Sequence, residues 1–465
     1  MELPLSQTRA CGASRSSPLL HFSFISIILI NTLFFSGYYI LKDPLAYILN
    51  SEGMPLKQAY SITTTANILL AISSLFFGFT LHKVSKQKYS LFVGVALSVL
   101  SICLLSLNKP FLSMVAISLY VLGGGLYFFN IVMFINKAFD NAQDRIKGNY
   151  IYQIFVNIGA ADGCLLFLAE LNKINMFKSC FISGVISLLL FIILYKHIEN
   201  EHDGKSNVLK FYGYLTVLFS VILTALYFTY ITRCLVLVSF TVAASWVLYR
   251  AYSEQNKNLF LFLCLVFLFN IPYWIANTVI FNQFIYFLMR DVSPIHGISP
   301  ASLIIVDPVT NILFGNIVFL TQRGSGINPY KNLSYSSLLM MLAFIVLAVG
   351  LFFDNGKEKI SYFYPLVTMA LFACSEFLLQ TTLNSRIRDL LLGQKKGEFL
   401  ATGIMRSSRS FATVLGYYLI LLTSNNVPSI SNEIHANFNL YFTMGLVCIA
   451  SFLGYCLLRK RYQLS

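Results

Sequence analysis

Long apolar runs alternate with short polar connections along almost the whole chain. About fourteen of these runs reach the roughly 20 residues that a helix needs to cross a membrane. They cover approximately residues 20–41, 58–81, 89–107, 111–135, 150–171, 177–196, 208–230, 232–252, 258–287, 300–321, 334–353, 361–383, 398–423 and 437–458. The pattern predicts an all-α polytopic membrane protein with about 14 transmembrane helices.

The most polar internal segment, from His197 to Lys210, divides this array. We predict an N-terminal tail at 1–19 and a six-helix bundle at 20–196. A linker with two extra transmembrane helices follows at 197–257, and a second six-helix bundle with a short tail occupies 258–465. Two six-helix bundles around a midplane site are the plan of many carriers. Helical spacing alone does not distinguish a carrier from a channel or a membrane enzyme.

Composition agrees with a membrane protein. The 465 residues are 57% hydrophobic and 11% charged, whereas soluble proteins average about 25% charged residues. The net charge of +14 would suggest nucleic-acid binding in a soluble protein. Here the Lys and Arg residues concentrate in alternate short loops, which is the positive-inside pattern. We therefore expect a lipid bilayer around the protein, both termini in the cytoplasm, and no nucleic-acid partner.

Motifs for chemistry are absent from the sequence. The nine cysteines show no metal-binding spacing and are interpreted as small packing residues. No phosphate loop, nucleophile elbow or zinc-protease motif occurs. Gly123, Gly124 and Gly125 lie within an apolar run and predict close helix packing. We expect no catalytic residue, no metal and no cofactor, and hence no enzyme.

The stretch 372–418 places charges inside apolar runs. Glu376 lies in one run, and Arg406 and Arg409 share a face of the next. Ionisable residues within a membrane are functional candidates by default. Glu376 either binds a cationic group of a solute or pairs with an arginine for structure. Arg406 either binds an anionic group or forms a structural bridge to Glu376 or Asp307.

Five further residues are candidates for the site, each with an alternative. Asp307 either faces the cavity or is solvated at a helix end, and Asp162 either faces the cavity or pairs within the first bundle. Asn157 binds a peptide unit or packs between helices. Trp274 forms a cavity wall or belongs to an interfacial belt. Tyr38 lines the cavity or packs in the core.

Several segments together resemble the proton-dependent oligopeptide transporter (POT) family of the major facilitator superfamily. The matching segments are Leu45–Leu49 with Gly53–Ala59 ("LxxYL…GLSxxQA"), Gly148 with Asn157–Ala160 ("GF…NxGA"), Tyr273-Trp274 ("FW"), Ile298–Ser302 with Asp307-Pro308 ("IPxxxxQxxNP") and Ser375-Glu376 with Gly397 ("GE…RG"). The resemblance implies an inner-membrane symporter of di- and tripeptides. It also implies that Glu376 contacts the peptide amino terminus and that Asn157 bonds the peptide backbone.

The sequence departs from this family at its charged positions. The first-helix E-x-x-E-R of the family aligns with Ile30, Leu33 and Phe34, and its fourth-helix Lys aligns with Phe128. The seventh-helix acid aligns with Thr278. Because the aligned first-helix side chains carry neither charge nor proton, the clamp for the peptide carboxylate and much of the proton relay are missing.

The leading hypothesis is a POT-type secondary transporter of peptides or other amine-bearing solutes. Its candidates for proton coupling are Glu376, Asp307 and Asp162. A second hypothesis is a carrier for an anionic or zwitterionic metabolite that uses Arg406. A third is a non-transporting sensor with the same fold.

Overall fold

The computed structural model describes residues 22–42, 45–80, 87–107, 109–137, 142–169, 173–194, 208–254, 256–294, 299–321, 329–353, 359–383, 397–424 and 430–462. The predicted tail at 1–19, the linker up to residue 207 and the polar turn at 384–396 lie outside these ranges. Several of the basic residues that predict the orientation of the termini fall in these segments, so the orientation stays a prediction.

Each predicted apolar run forms a helix. The long helices are α1 (Phe22–Lys42), α3 (Leu56–Thr80), α4 (Gln87–Leu105), α5 (Pro110–Lys137), α6 (Ala142–Ala169), α7 (Lys173–Leu194), α8 (Val208–Tyr227), α9 (Thr229–Ser253), α10 (Lys257–Leu265) with α11 (Ile271–Asp291), α12 (Val306–Thr321), α13 (Pro329–Phe353), α14 (Phe363–Thr382), α15 (Gly397–Ser424) and α16 (Ile430–Tyr462). Within the described residues, nine helical spans are long and apolar enough to cross a membrane. The all-α membrane fold is confirmed.

Two short elements lie outside the fourteen-run pattern. The helix α2 (Leu45–Ser51) is too short for the length rule and ends in a turn at Gly53, whose φ is +93°. A 3₁₀ segment, Pro300–Ile305, leads directly into α12. The helix α2 packs on α3, and the 3₁₀ segment packs on α6, α11 and α14.

The seventh core helix contains a π turn at Val266–Asn270, between α10 and α11. Pro272 follows this turn and has no N–H to donate to the preceding turn of the helix. The N–H of Ile271 donates to the carbonyl of Val266, five residues back. Such π turns often occur at functional sites because they rotate the side chains of the helix.

Helix contacts define two groups. In the first group, α1 packs on α6 and α7, while α3 and α4 pack on α5. In the second, α13 packs on α14 and α16, α12 on α14, and α11 on α15. The groups meet where α3 contacts α15 and where α6 contacts α12. The extra pair lies beside both, with α8 against α5 and α9 against α15.

Glycines allow the closest approaches between helices. A Cβ added to Gly123 would lie 2.7 Å from the carbonyl oxygen of Gly94, so α4 and α5 are nearly in backbone contact. This confirms the packing role predicted for the triple glycine. A Cβ on Gly159 of α6 would lie 2.2 Å from the carbonyl oxygen of Thr32 in α1. Small residues at such contacts are typical of membrane helices.

Candidate functional site

Arg409 of α15 lies between the two helix groups. Its guanidinium carbon is 3.7 Å from the centroid of the Trp274 ring, which is a direct stacking distance. A cation over an indole contributes about 2 kcal/mol when the pair is desolvated. The groups within electrostatic range of Arg409 come from both helix groups: Tyr38, Tyr120, Tyr273 and Glu376. Arg409 is therefore a positive charge located where the two halves of the protein face each other.

Trp274 is held in place by Asn270, the last residue of the π turn. The indole Nε1 donates to Oδ1 of Asn270 at 3.1 Å. The amide Nδ2 of Asn270 donates to the Ser408 hydroxyl at 2.7 Å and to the Met405 carbonyl at 3.2 Å. The network connects α11 to the residue next to Arg409. Trp274 thus packs against Asn270 and Arg409 inside the helical assembly, while its role as a cavity wall stays a prediction.

Glu376 of α14 contacts Tyr273 of α11. The Tyr273 hydroxyl donates a hydrogen bond to the Glu376 carboxylate and accepts one from Gln380. The amide of Asn277 also donates to this hydroxyl, at 3.3 Å. Tyr273 is fully buried, whereas Glu376 is partly buried. A carboxylate in this setting has a neutral hydrogen-bond donor on one side, and it suits a protonated amine on the other.

Asp307 is the second buried acid of this region. Its side chain is fully buried at the start of α12, and the Nδ2 of Asn311 donates to its Oδ1 at 3.2 Å. Asp307 lies within electrostatic range of Tyr273 and Cys374. The alternative of a solvated helix end is therefore wrong. Glu376 and Asp307 approach Tyr273 from two different helices and form one acidic cluster.

Aromatic rings occupy the wall formed by α1 and α5. Phe34 stacks on Tyr127 with the ring centroids 3.7 Å apart. Tyr38 stacks on Tyr120 at 5.1 Å and meets Phe128 edge-on at 4.8 Å. Phe34 and Phe128 are the positions at which the resembled family has charges. The structure shows that their replacements form one packed cluster, and Tyr38 belongs both to this core and to the surroundings of Arg409.

Arg406 lies one turn before Arg409 and is directed toward the first helix group. Arg406 and Tyr38 are both within electrostatic range of Tyr152 on α6. Arg406 is partly buried. The two arginines share a helix face but have different neighbours: Tyr152 of α6 is near Arg406, and Trp274 of α11 is against Arg409.

Asn157 and Asp162 on α6 have partners outside the acidic cluster. The Asn157 side chain is buried, and its Nδ2 donates to the carbonyl of Gln153 one turn earlier at 2.8 Å. Asp162 is exposed, and its carboxylate accepts a hydrogen bond from the Ser36 hydroxyl of α1. The partner of Asp162 thus lies within the first group, which is one of its two predicted alternatives.

Sequence reasoning missed three contributors to this region. Tyr273 was noted only as half of an aromatic pair, although its hydroxyl connects Glu376 to α11. Asn270 sits inside an apolar run, and nothing in the sequence distinguishes Arg409 from Arg406, which shares its helix face. A polar residue inside an apolar run was the signal available for Asn270. Within the part of the chain that the structure describes, no group of three potential metal ligands occurs.

The fold and this junction define a polytopic helical protein with a charged region between two helix groups. The family model described as "Major Facilitator Superfamily" matches residues 21–417. The chain therefore belongs to this superfamily, as the sequence predicts. No curated protein matches the sequence significantly.

Solved transporter structures share the fold. One, from a study of substrate recognition in proton dependent oligopeptide transporters, has a TM-score of 0.81 at 15% identity and covers 95% of this chain and 99% of its own. A bacterial homologue of the human drug peptide transporters PepT1 and PepT2 has a TM-score of 0.79 at 15% identity, with coverage of 95% and 99%. A POT family transporter in complex with 5-aminolevulinic acid has a TM-score of 0.73 at 16% identity, with coverage of 92% and 94%.

Proposed function

We propose that the protein is a secondary active transporter of the POT type. It moves di- and tripeptides, or related amine-bearing solutes, across a bacterial-type inner membrane by alternating access. The observation that carries the proposal is the placement of Glu376, a partly buried carboxylate bonded to Tyr273 at the junction of the helix groups. A carboxylate at this depth suits an ammonium group, and an apolar medium strengthens that attraction. The neighbours solved as peptide transporters support the same assignment.

The proposed binding step places the solute amine at Glu376, while Tyr273 orients the carboxylate. Asn157, Trp274 and Tyr38 border the solute in this proposal, and Arg406 faces it from α15. For Asn157 to bind the solute, its side-chain amide has to break its hydrogen bond to the Gln153 carbonyl.

Proton coupling, in this proposal, depends on the acidic cluster. The aromatic wall offers no titratable group at the first-helix positions, whereas Glu376 and Asp307 are both within electrostatic range of Tyr273. Asp162 is the weaker candidate because its partner is Ser36 in the first group. Uptake driven by an inward proton gradient requires the proton and the solute to be carried together, so in this proposal the ammonium binds Glu376 while Asp307 takes the proton.

The test is uptake of a labelled dipeptide into proteoliposomes, with and without an inward pH gradient. We expect uptake that the gradient stimulates. Substitution Glu376→Gln keeps the shape but removes the charge, and we expect uptake to fall by about tenfold or more, corresponding to about 1.4 kcal/mol or more. The matched control is Glu254→Gln, a glutamate that directly follows α9 and pairs with the exposed Arg250. Unchanged uptake in Glu376→Gln would contradict the role of this acid.

A carrier for anions or zwitterions is the second candidate, favoured by the two arginines on α15. A competition panel of peptides, amino acids and organic phosphates distinguishes it from a peptide transporter. Measurable flux of any solute would exclude a pure sensor.

A further inference from the structure

We infer that Arg409 is the anion subsite of the transport site, so that the carboxylate of a small zwitterionic solute is bound from α15. The solute is one that carries an ammonium and a carboxylate, with an apolar or aromatic side chain between them. This inference rests on the proposed function and adds the residue that recognises the negative end.

The donors of Arg409 are the first argument. Its flat face is covered by Trp274. No hydrogen bond or ion pair to its guanidinium occurs among the residues that the structure describes. Stacking uses the face of a guanidinium and leaves its edge, with five N–H donors in a planar fork that matches a carboxylate. Arg409 is partly buried rather than fully enclosed.

The second argument is that Arg409 is held in position before any ligand arrives. Trp274 is fixed by Asn270, and Asn270 is bonded to Ser408, the neighbour of Arg409 in the chain. This closed set of contacts sets the orientation of the stacking surface. An arginine that only filled space would not need a platform tied to its own helix.

The third argument comes from the aromatic wall formed by α1 and α5. The rings of Phe34, Tyr127 and Phe128 pack against one another on the wall formed by α1 and α5. These side chains offer no positive charge to a carboxylate. The carboxylate of a bound solute therefore needs a positive charge from another helix, and Arg409 of α15 supplies it.

The positions of the two charges define the solute. Arg409 and Glu376 are within electrostatic range of each other, on adjacent parts of the second helix group. Both ends of a short zwitterion are thus recognised by α14 and α15. The apolar part of the solute then faces the aromatic wall of α1 and α5, with which Phe or similar side chains pack well.

The experiment measures binding to the purified full-length protein, independently of transport. The probes are alanyl-phenylalanine, its C-terminal amide, which lacks the anion, and its N-acetyl derivative, which lacks the cation. We expect the wild type to prefer the free carboxylate over the amide by at least about tenfold, as charge-assisted bidentate hydrogen bonds imply. In Arg409→Gln this preference disappears while affinity for the amide is retained.

Two further variants make the result specific. Arg409→Lys keeps the charge without the planar fork, and we expect it to restore part of the preference. Arg250→Gln removes a matched arginine 5.9 Å from the Trp246 ring on the exposed side of α9, and we expect no change. If the wild type binds acid and amide equally, or if Arg409→Gln keeps the preference, the inference is overturned. Failure of uptake alone, with these binding results intact, would contradict the proposed transport and leave the anion subsite supported.

Discussion

Replacing Gly159 by alanine tests the contact between α1 and α6. The added Cβ would lie 2.2 Å from the carbonyl oxygen of Thr32 and 3.0 Å from the Cβ of Phe35. The oxygen belongs to the backbone and cannot rotate away, so α1 as a whole has to move by roughly 1 Å to reach an ordinary contact distance. A Cβ added to Gly163, one turn later, would lie 2.6 Å from the carbonyl oxygen of Ser36, so the close approach of α1 and α6 extends over a second turn.

The expected cost follows from overpacking, which typically amounts to about 1–3 kcal/mol. In a domain of 150–250 residues each kcal/mol lowers Tm by about 2–4 °C, and by less in a longer chain. We therefore expect Gly159→Ala to lower the melting temperature of the detergent-purified protein by a few degrees. Because α1 carries Phe34 and Tyr38, we also expect weaker substrate binding.

The matched control is Gly213→Ala on α8. Nothing lies within 4 Å of a Cβ at this position, and alanine favours a helix over glycine by about 1 kcal/mol. The melting temperature should stay the same or rise. If Gly159→Ala is as stable as the wild type in the same assay, α1 and α6 do not approach as closely as described, and the reasoning fails.

Two further changes test the supports of the site. Asn270→Ala removes the hydrogen-bond acceptor for the Trp274 indole, and we expect at least about a tenfold loss of dipeptide affinity. The specific readout is a decrease in the quenching of tryptophan fluorescence that dipeptide binding causes. Arg233 on α9 donates to the Ser61 hydroxyl at 2.6 Å and lies 4.3 Å from the Tyr417 ring. A hydrogen bond to a charged group contributes about 1.5–3 kcal/mol, so we expect Arg233→Gln to lower Tm. We also expect this variant to change the uptake rate more than the equilibrium affinity for the dipeptide. An unchanged uptake rate would contradict a link between the extra helices and both helix groups.

The helices were predictable because hydrocarbon-length apolar runs have few other stable structures in a membrane. The residues that interrupt these runs were predictable as candidates for the same reason. Glu376 and Asp307 stand out in sequence, and the structure places both around one tyrosine hydroxyl. Hydropathy predicts which segments form long apolar helices, and that part of the prediction is confirmed.

Contacts between helices could not be read from the sequence. Arg406 and Arg409 share a face, but the rotation of α15 decides which of them meets Trp274. That rotation depends on packing against α3 and α11, which are remote in the chain. The π turn at 266–270 could not be predicted either, because the apolar pattern continues through it and only Pro272 indicates an irregular helix there.

Asp307 shows a second limit of sequence reasoning. Its position beside Pro308 at a helix start is typical of a solvated end. The 3₁₀ segment Pro300–Ile305 continues directly into α12, so Asp307 lies within a longer helical element. Its side chain is buried among neighbouring helices rather than exposed at a helix end. Sequence patterns place a residue along its own helix, and only the neighbouring helices decide whether water reaches it.

The most direct measurement is a structure of the protein with alanyl-phenylalanine bound. We predict ligand density between the two helix groups, with the ammonium at Glu376, the carboxylate at Arg409 and the phenyl ring toward Phe128. Density elsewhere, or a direct ion pair between Glu376 and Arg409 with no ligand between them, would contradict the account.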